Sequence, residues 1–238
     1  MKGRIFFLLC FIGLFLMLGV VAAEEAGYGY ITGSVGATGG QGPTDWSINI
    51  FDAKAGPSPY TLEYWRVPEY MIRAADDGSF SIRLPEGTYY IMAVKKRVKS
   101  KAANLEEGDL IFPPSNEKEP IQYVVRAGET IPVDVTSRAV PFRKEWAAQG
   151  KTGIEGTILD KQGSPVKGAK VLAHQTPGKE IPLFVSDNIT GEDGKYIVRV
   201  PEGGQYYLIV KKYRNPNAVT VKTGEMTKGI DVRLPETP

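Results

Sequence analysis

Only one cysteine and one histidine occur in the chain, and these two scarcities exclude most site chemistries. Cys10 sits inside an uncharged apolar run, Ile5 to Val21, so the rest of the chain has no disulfide, thiolate nucleophile or cysteine metal ligand. His174 closes the apolar run Val171-Leu172-Ala173. One imidazole without cysteine cannot assemble the usual three or four ligands of a zinc site. No Gly-x-Ser-x-Gly elbow accompanies it, so a Ser-His-Asp arrangement lacks its nucleophile turn. A carboxylate pair of the glycosidase kind leaves no mark in spacing, because the fold assembles it. A surplus of one charge is lacking as well: 29 Lys and Arg stand against 27 Asp and Glu. Nucleic-acid binding needs a basic surplus to displace counterions. The sequence therefore reads as non-enzymatic, with no cofactor, no metal and no nucleic-acid partner.

A targeting pattern opens the chain. Lys2 and Arg4 precede the apolar run, and Val21-Ala22-Ala23 ends it with small residues just before Glu24-Glu25. This is the layout of a secretory signal over residues 1–23, cut after Ala23. An uncleaved anchor is the competing reading. Loss of Lys2 and Arg4 would leave 27 basic against 27 acidic residues. The expected location is periplasmic, cell-surface or extracellular. Asn188-Ile189-Thr190 is a glycosylation acceptor that counts only in a eukaryotic secretory pathway.

The body of the chain carries one motif twice. Asp77-Gly78-Ser79-Phe80-Ser81-Ile82-Arg83-Leu84-Pro85-Glu86-Gly87 returns as Asp193-Gly194-Lys195-Tyr196-Ile197-Val198-Arg199-Val200-Pro201-Glu202-Gly203, 116 residues later. Tyr89-Tyr90-Ile91 and Tyr206-Tyr207-Leu208 follow the two copies. A period this long means two whole domains rather than a solenoid. Asp-Gly marks a tight turn between strands. Phe80, Ile82 and Leu84 alternate with Ser79, Ser81 and Arg83, as Tyr196, Val198 and Val200 do with Lys195 and Arg199. Period-two patterning with one apolar face describes a strand on a two-layer core. About seven such strands follow one another in the second copy, from Gly153–Leu159 to Gly229–Leu234, with frequent turn signals. The spacing after Pro-Glu-Gly differs between the copies, and an extra residue predicts a bulge in Tyr89 to Val94.

Gly156-Thr157-Ile158-Leu159-Asp160, Gly163-Ser164-Pro165-Val166-Lys167-Gly168-Ala169-Lys170-Val171, Asp193-Gly194-Lys195-Tyr196 and Val200-Pro201-Glu202-Gly203 together resemble the carboxypeptidase regulatory-like domain. The resemblance covers nearly all of the second copy. It implies a transthyretin-like, seven-stranded Ig-like sandwich of the kind grouped with starch-binding-like folds, and a module without catalytic residues. The first copy keeps Asp77-Gly78-Ser79-Phe80 and Leu84-Pro85-Glu86-Gly87 but lacks the Pro-Val-Lys-Gly-Ala turn, and reads as a divergent copy. The expected organisation is a signal peptide at 1–23, a divergent β-sandwich at 24–141, a linker at 142–151 and a second β-sandwich at 152–238.

Two insertions interrupt the first copy. Pro57 to Tyr70 concentrates Tyr60, Tyr64, Trp65, Arg66 and Tyr70. Flat aromatics with polar neighbours suit a sugar face, and Tyr, Trp and Arg equally suit a protein hot spot. Cover for the open end of the sandwich is the plain alternative. These five residues are the candidate contact with an envelope or extracellular protein, or with a polysaccharide. Lys99 to Pro120 reads as a long mixed-charge loop. Lys95, Lys96 and Arg97 read as a solvated strand end.

Overall fold

The computed structural model describes residues 27–36, 45–59, 62–97, 105–112, 120–135, 138–146, 149–176, 183–210 and 213–235. The segment expected to be a signal sequence, residues 1–23, lies outside them. The first half supplies Tyr28–Ser34 (β1), Trp46–Asp52 (β2), Trp65–Arg66 (β3), Tyr70–Arg73 (β4), Ser79–Pro85 (β5), Gly87–Lys95 (β6), Leu110–Phe112 (β7), Tyr123–Val125 (β8), Thr130–Asp134 (β9) and Val140–Pro141 (β10). A 3-10 turn over Lys144–Trp146 leads to the second half. That half supplies Gly153–Leu159 (β11), Val171–His174 (β12), Phe184–Val185 (β13), Lys195–Arg199 (β14), Gly204–Val210 (β15), Tyr213–Val221 (β16), Met226–Thr227 (β17) and Val232–Arg233 (β18).

The same wiring recurs in both halves, each a β-sandwich. β1 pairs antiparallel with β5 and parallel with β9; β11 pairs antiparallel with β14 and parallel with β17 and β18. In the facing sheets, β2 lies between β4 and β6, and β12 lies between β13 and β15. Phe80 and Tyr196, equivalent in the repeated motif, sit opposite Gly33 and Gly156. Both glycines lie against the backbone of the parallel neighbouring segment, where a Cβ would meet the Val133 or Ile230 carbonyl oxygen. Each Pro-Glu-Gly turn is closed by a tyrosine hydroxyl that donates to a carbonyl four residues back: Tyr89 to Pro85, Tyr206 to Glu202. Turn carboxylates act locally. Asp77 accepts from the Ser79 amide and Asp193 from the Lys195 amide, while Gly78 and Gly194 supply φ of 84° and 66°. Hydrogen bonds from Ser79 hold the Asp77 carboxyl below its usual value.

Burial follows the alternation. Trp46, Ile48, Ile50, Leu84 and Ile91 fill the first core; Ile158, Val171, Val198, Tyr206 and Leu208 fill the second. Thr190 of the glycosylation acceptor is buried; its hydroxyl donates to the Val166 carbonyl and accepts from the Ala169 amide.

Three expectations are corrected. The pairing of β6 with β2 is regular from Tyr89 to Lys95, and the irregularity falls instead between Tyr207 and Ile209 in β15. The span Lys99 to Pro120 is not loop throughout, because β7 joins β6 and β10 within it. The Lys95–Arg97 strand end is solvated only in part: Arg97 is exposed, but Lys95 is 4% exposed, and the Asp109 carboxylate accepts from Lys96 Nζ, the Arg97 amide and the Glu106 amide.

Candidate functional site

β6 is buried along both faces from Tyr89 to Lys95. An outer strand face needs cover when it carries Tyr90, Met92 and Val94 rather than polar groups. The first insertion and the linker provide it. Leu62, Phe142 and Trp146 join Phe51, Met92 and Ile111 in a third apolar cluster, with Phe142 and Trp146 edge to face at 6.2 Å. Backbone bonds from Gly108 to Phe142 and from Phe142 to Asp109 hold the linker there. The Glu107 carboxylate accepts the Lys144 amide.

The insertion is shaped by Arg66, whose side chain is wholly buried. Its guanidinium donates to the carbonyl oxygens of Asp52, Gly56 and Pro57 and to the Glu69 carboxylate at 2.9 Å. Glu69 also accepts the Asp52 amide at 2.7 Å. A fork of fixed donors satisfies several acceptors at once, which an ammonium cannot do in the same plane.

So held, the insertion lends a strand to the other half. β3 pairs antiparallel with β13, Arg66 opposite Phe184 and Trp65 opposite Val185. The Val67 amide donates to the Leu183 carbonyl at 2.9 Å. β3 thus ends the five-stranded sheet β16-β15-β12-β13-β3 of the second sandwich. Tyr64 enters that sandwich's core, edge-on to Phe184 at 5.6 Å, while its hydroxyl donates to the Ser58 carbonyl at 2.6 Å. Gly150 adds a second tie, its amide donating to the Glu63 carbonyl and its carbonyl accepting from Arg199. Arg199 also pairs with Asp187, and burial nonetheless raises the Asp187 carboxyl above its usual value.

The loan brings two outer sheet faces together around a cleft of roughly 690 Å³. Leu172, Val185 and Trp65 form one cross-strand row over β12, β13 and β3. Phe51, Met92 and Val94 face them from β2 and β6. Cations rim the apolar surface: Arg73 and Lys96 from the first half, Lys170 from the second. Lys96 is paired with Asp109. Lys170 is half-buried, and desolvation holds its ammonium below the usual lysine value.

Residues 153–235 match the carboxypeptidase regulatory-like domain family. The half that matches this family model is therefore the one that receives β3, and the lending half lies outside the matched residues. Among solved structures, similarity is found to the TIE protein of Bacillus anthracis, at 16% identity and TM-score 0.26 over 87% of this chain and 33% of that one. A streptococcal ancillary pilin matches at 11% and 0.27, over 88% and 63%. BcpA, the major pilin subunit of Bacillus cereus, matches at 9% and 0.26, over 87% and 99%. The chain thus spans about a third of the first of these and under two thirds of the second. No curated protein matches.

The five residues singled out in the sequence separate. Tyr64 (4% exposed) and Arg66 (6%) are enclosed within the chain, Trp65 is half-buried beside the cleft and Tyr70 is exposed on β4. Tyr60 lies outside the described residues. Sequence reasoning missed Lys170, Leu172 and Val185. The signal for Leu172 and Val185 was an apolar residue at an outward position of β12 and of β13, where alternation calls for a polar one; Lys170 carried none.

Proposed function

We propose that the chain is an exported, non-catalytic module that holds its two sandwiches at a fixed mutual position, serving as a structural or protein-interaction unit at the cell envelope or outside the cell. The observation that carries this reading is the strand loan, with Tyr64 in the core of the carboxypeptidase regulatory-like half. Domains joined by a linker alone are expected to move relative to one another unless their interface is large and apolar. Here a backbone pairing, a buried aromatic and a docked linker all oppose that motion. The apolar run with its small-residue end supports export, and among the described residues no helix is long and apolar enough to cross a membrane. A polysaccharide platform on the first insertion has less support, since Tyr64 offers no ring face to a sugar.

Paired labels test the reading. With Cys10 replaced by serine, Ser81→Cys and Thr220→Cys give one exposed label site on each sandwich. A single narrow distance distribution is expected for the full chain, broadened by Tyr64→Ala. A broad distribution in the parent protein would overturn the fixed-spacing reading.

A further inference from the structure

The cleft between the sandwiches is built unlike a surface that merely meets water. Its two walls are outer sheet faces, yet they carry Phe51, Met92, Leu172 and Val185, and roughly 690 Å³ lies within the usual range for small-ligand sites, about 300–1,000 Å³. The charges at its rim are one-sided. Lys96 and Arg66 are neutralised by Asp109 and Glu69, whereas Arg73 and Lys170 have no ion pair among the described residues. Asp45 is the one carboxylate among the described residues that line it. A half-buried ammonium without a counter-charge is costly to keep, and an arriving anion would relieve that cost.

We propose that the cleft binds a small amphipathic anion, a single acyl chain ending in a carboxylate, with its chain on Phe51, Met92, Leu172 and Val185 and its head between Lys170 and Arg73. Apolar walls give such a ligand its affinity, and the two unpaired cations fix its direction. Lys170 retains a proton in the complex because the carboxylate supplies the missing counter-charge, which opposes the desolvation. The proposal rests on the coupling of the two sandwiches, because each contributes one wall.

Dodecanoate, titrated below its micelle concentration and followed by calorimetry and by tryptophan emission, tests it on the full chain. Saturable binding of one dodecanoate is expected, with Lys170→Gln weakening it at least about tenfold, the scale of a lost hydrogen bond to a charged group. Dodecyltrimethylammonium, equal in chain and opposite in charge, should bind at least about tenfold more weakly. Leu172→Asp should abolish binding, and Lys170→Gln, a change at a partly exposed position, guards against a variant that fails to fold. No saturation, equal affinity for both detergents, or dodecanoate binding indifferent to Lys170→Gln would each overturn the site. The labelled pair separates failures: a narrow distance distribution without dodecanoate binding sinks the ligand and keeps the fixed spacing.

Discussion

A methyl group on Gly156 would sit 1.9 Å from the carbonyl oxygen of Ile230. That oxygen also accepts the Tyr196 hydroxyl at 2.6 Å, and the Ile230 amide donates to Glu155. Relief of the clash therefore moves backbone rather than a side-chain tip. Gly156→Ala should cost about 2–3 kcal/mol, an overpacking penalty, measured as a lower denaturant midpoint at unchanged slope. Arg66→Met removes a buried cation and leaves Glu69, at 12% side-chain exposure, with its charge unmatched. Loss of one partner from a buried pair costs about 3–5 kcal/mol, and the same assay should register it. Arg66→Lys should recover only part of the loss, since an ammonium cannot span the three carbonyls and Glu69. Thr190 makes a related point about reading motifs. Its hydroxyl fills a buried donor and acceptor position, so the local structure explains the residue without a glycan.

At the level of elements, legibility tracked self-sufficiency. β11 runs over Gly153–Leu159 as its alternation predicts, and β14 begins at Lys195 just after the Asp193-Gly194 turn. Such strands carry their own period, and the turn residues fix their ends. β3 and β7 do not. With two and three residues, they have no period to display and exist because β13 and β6 accept them. The aromatic insertion was legible as unusual, but its direction was not: composition cannot distinguish rings that face solvent from rings that face another sandwich. The same limit hid the cleft, whose walls belong to strands distant in sequence. Val67→Pro tests the element directly, because proline removes the amide that donates to Leu183. Wild-type protein should unfold calorimetrically in one transition, and Val67→Pro should resolve into two, the lower belonging to the sandwich that lost its edge partner.

For the whole molecule, the alkaline limb of stability is set by phenols. Burial, aided by the nearby Asp52 and Tyr70, pushes the Tyr89 hydroxyl up to about 12, and burial alone pushes Tyr123 to about 12. Tyr196 and Tyr206 are raised as well, chiefly by burial. The folded chain thus keeps protons that the unfolded chain releases near pH 10. Where the native state binds more protons, stability falls as pH rises. Chemical denaturation should give a level midpoint from neutral pH to about 9 and a decline between about 10 and 12, the interval between the unfolded and folded phenol values. Absorbance of ionised tyrosine should lag behind that of the denatured chain over the same interval. A midpoint that stays level to pH 12 would contradict this assignment.

The borrowed strand also bears on how the protein is made. The ribosome delivers the lender first and the recipient last, and N-terminal domains generally fold as they emerge. Arg66 and its register partner Phe184 belong to opposite halves, so Tyr64 waits without the core it enters until the second sandwich has left the tunnel. The lent strand at Trp65–Arg66 stays without its partner for the same interval, and an unpaired strand invites pairing with a neighbouring chain. A nascent chain stalled before residue 183 is therefore the point in the life of this protein at which it most needs a chaperone.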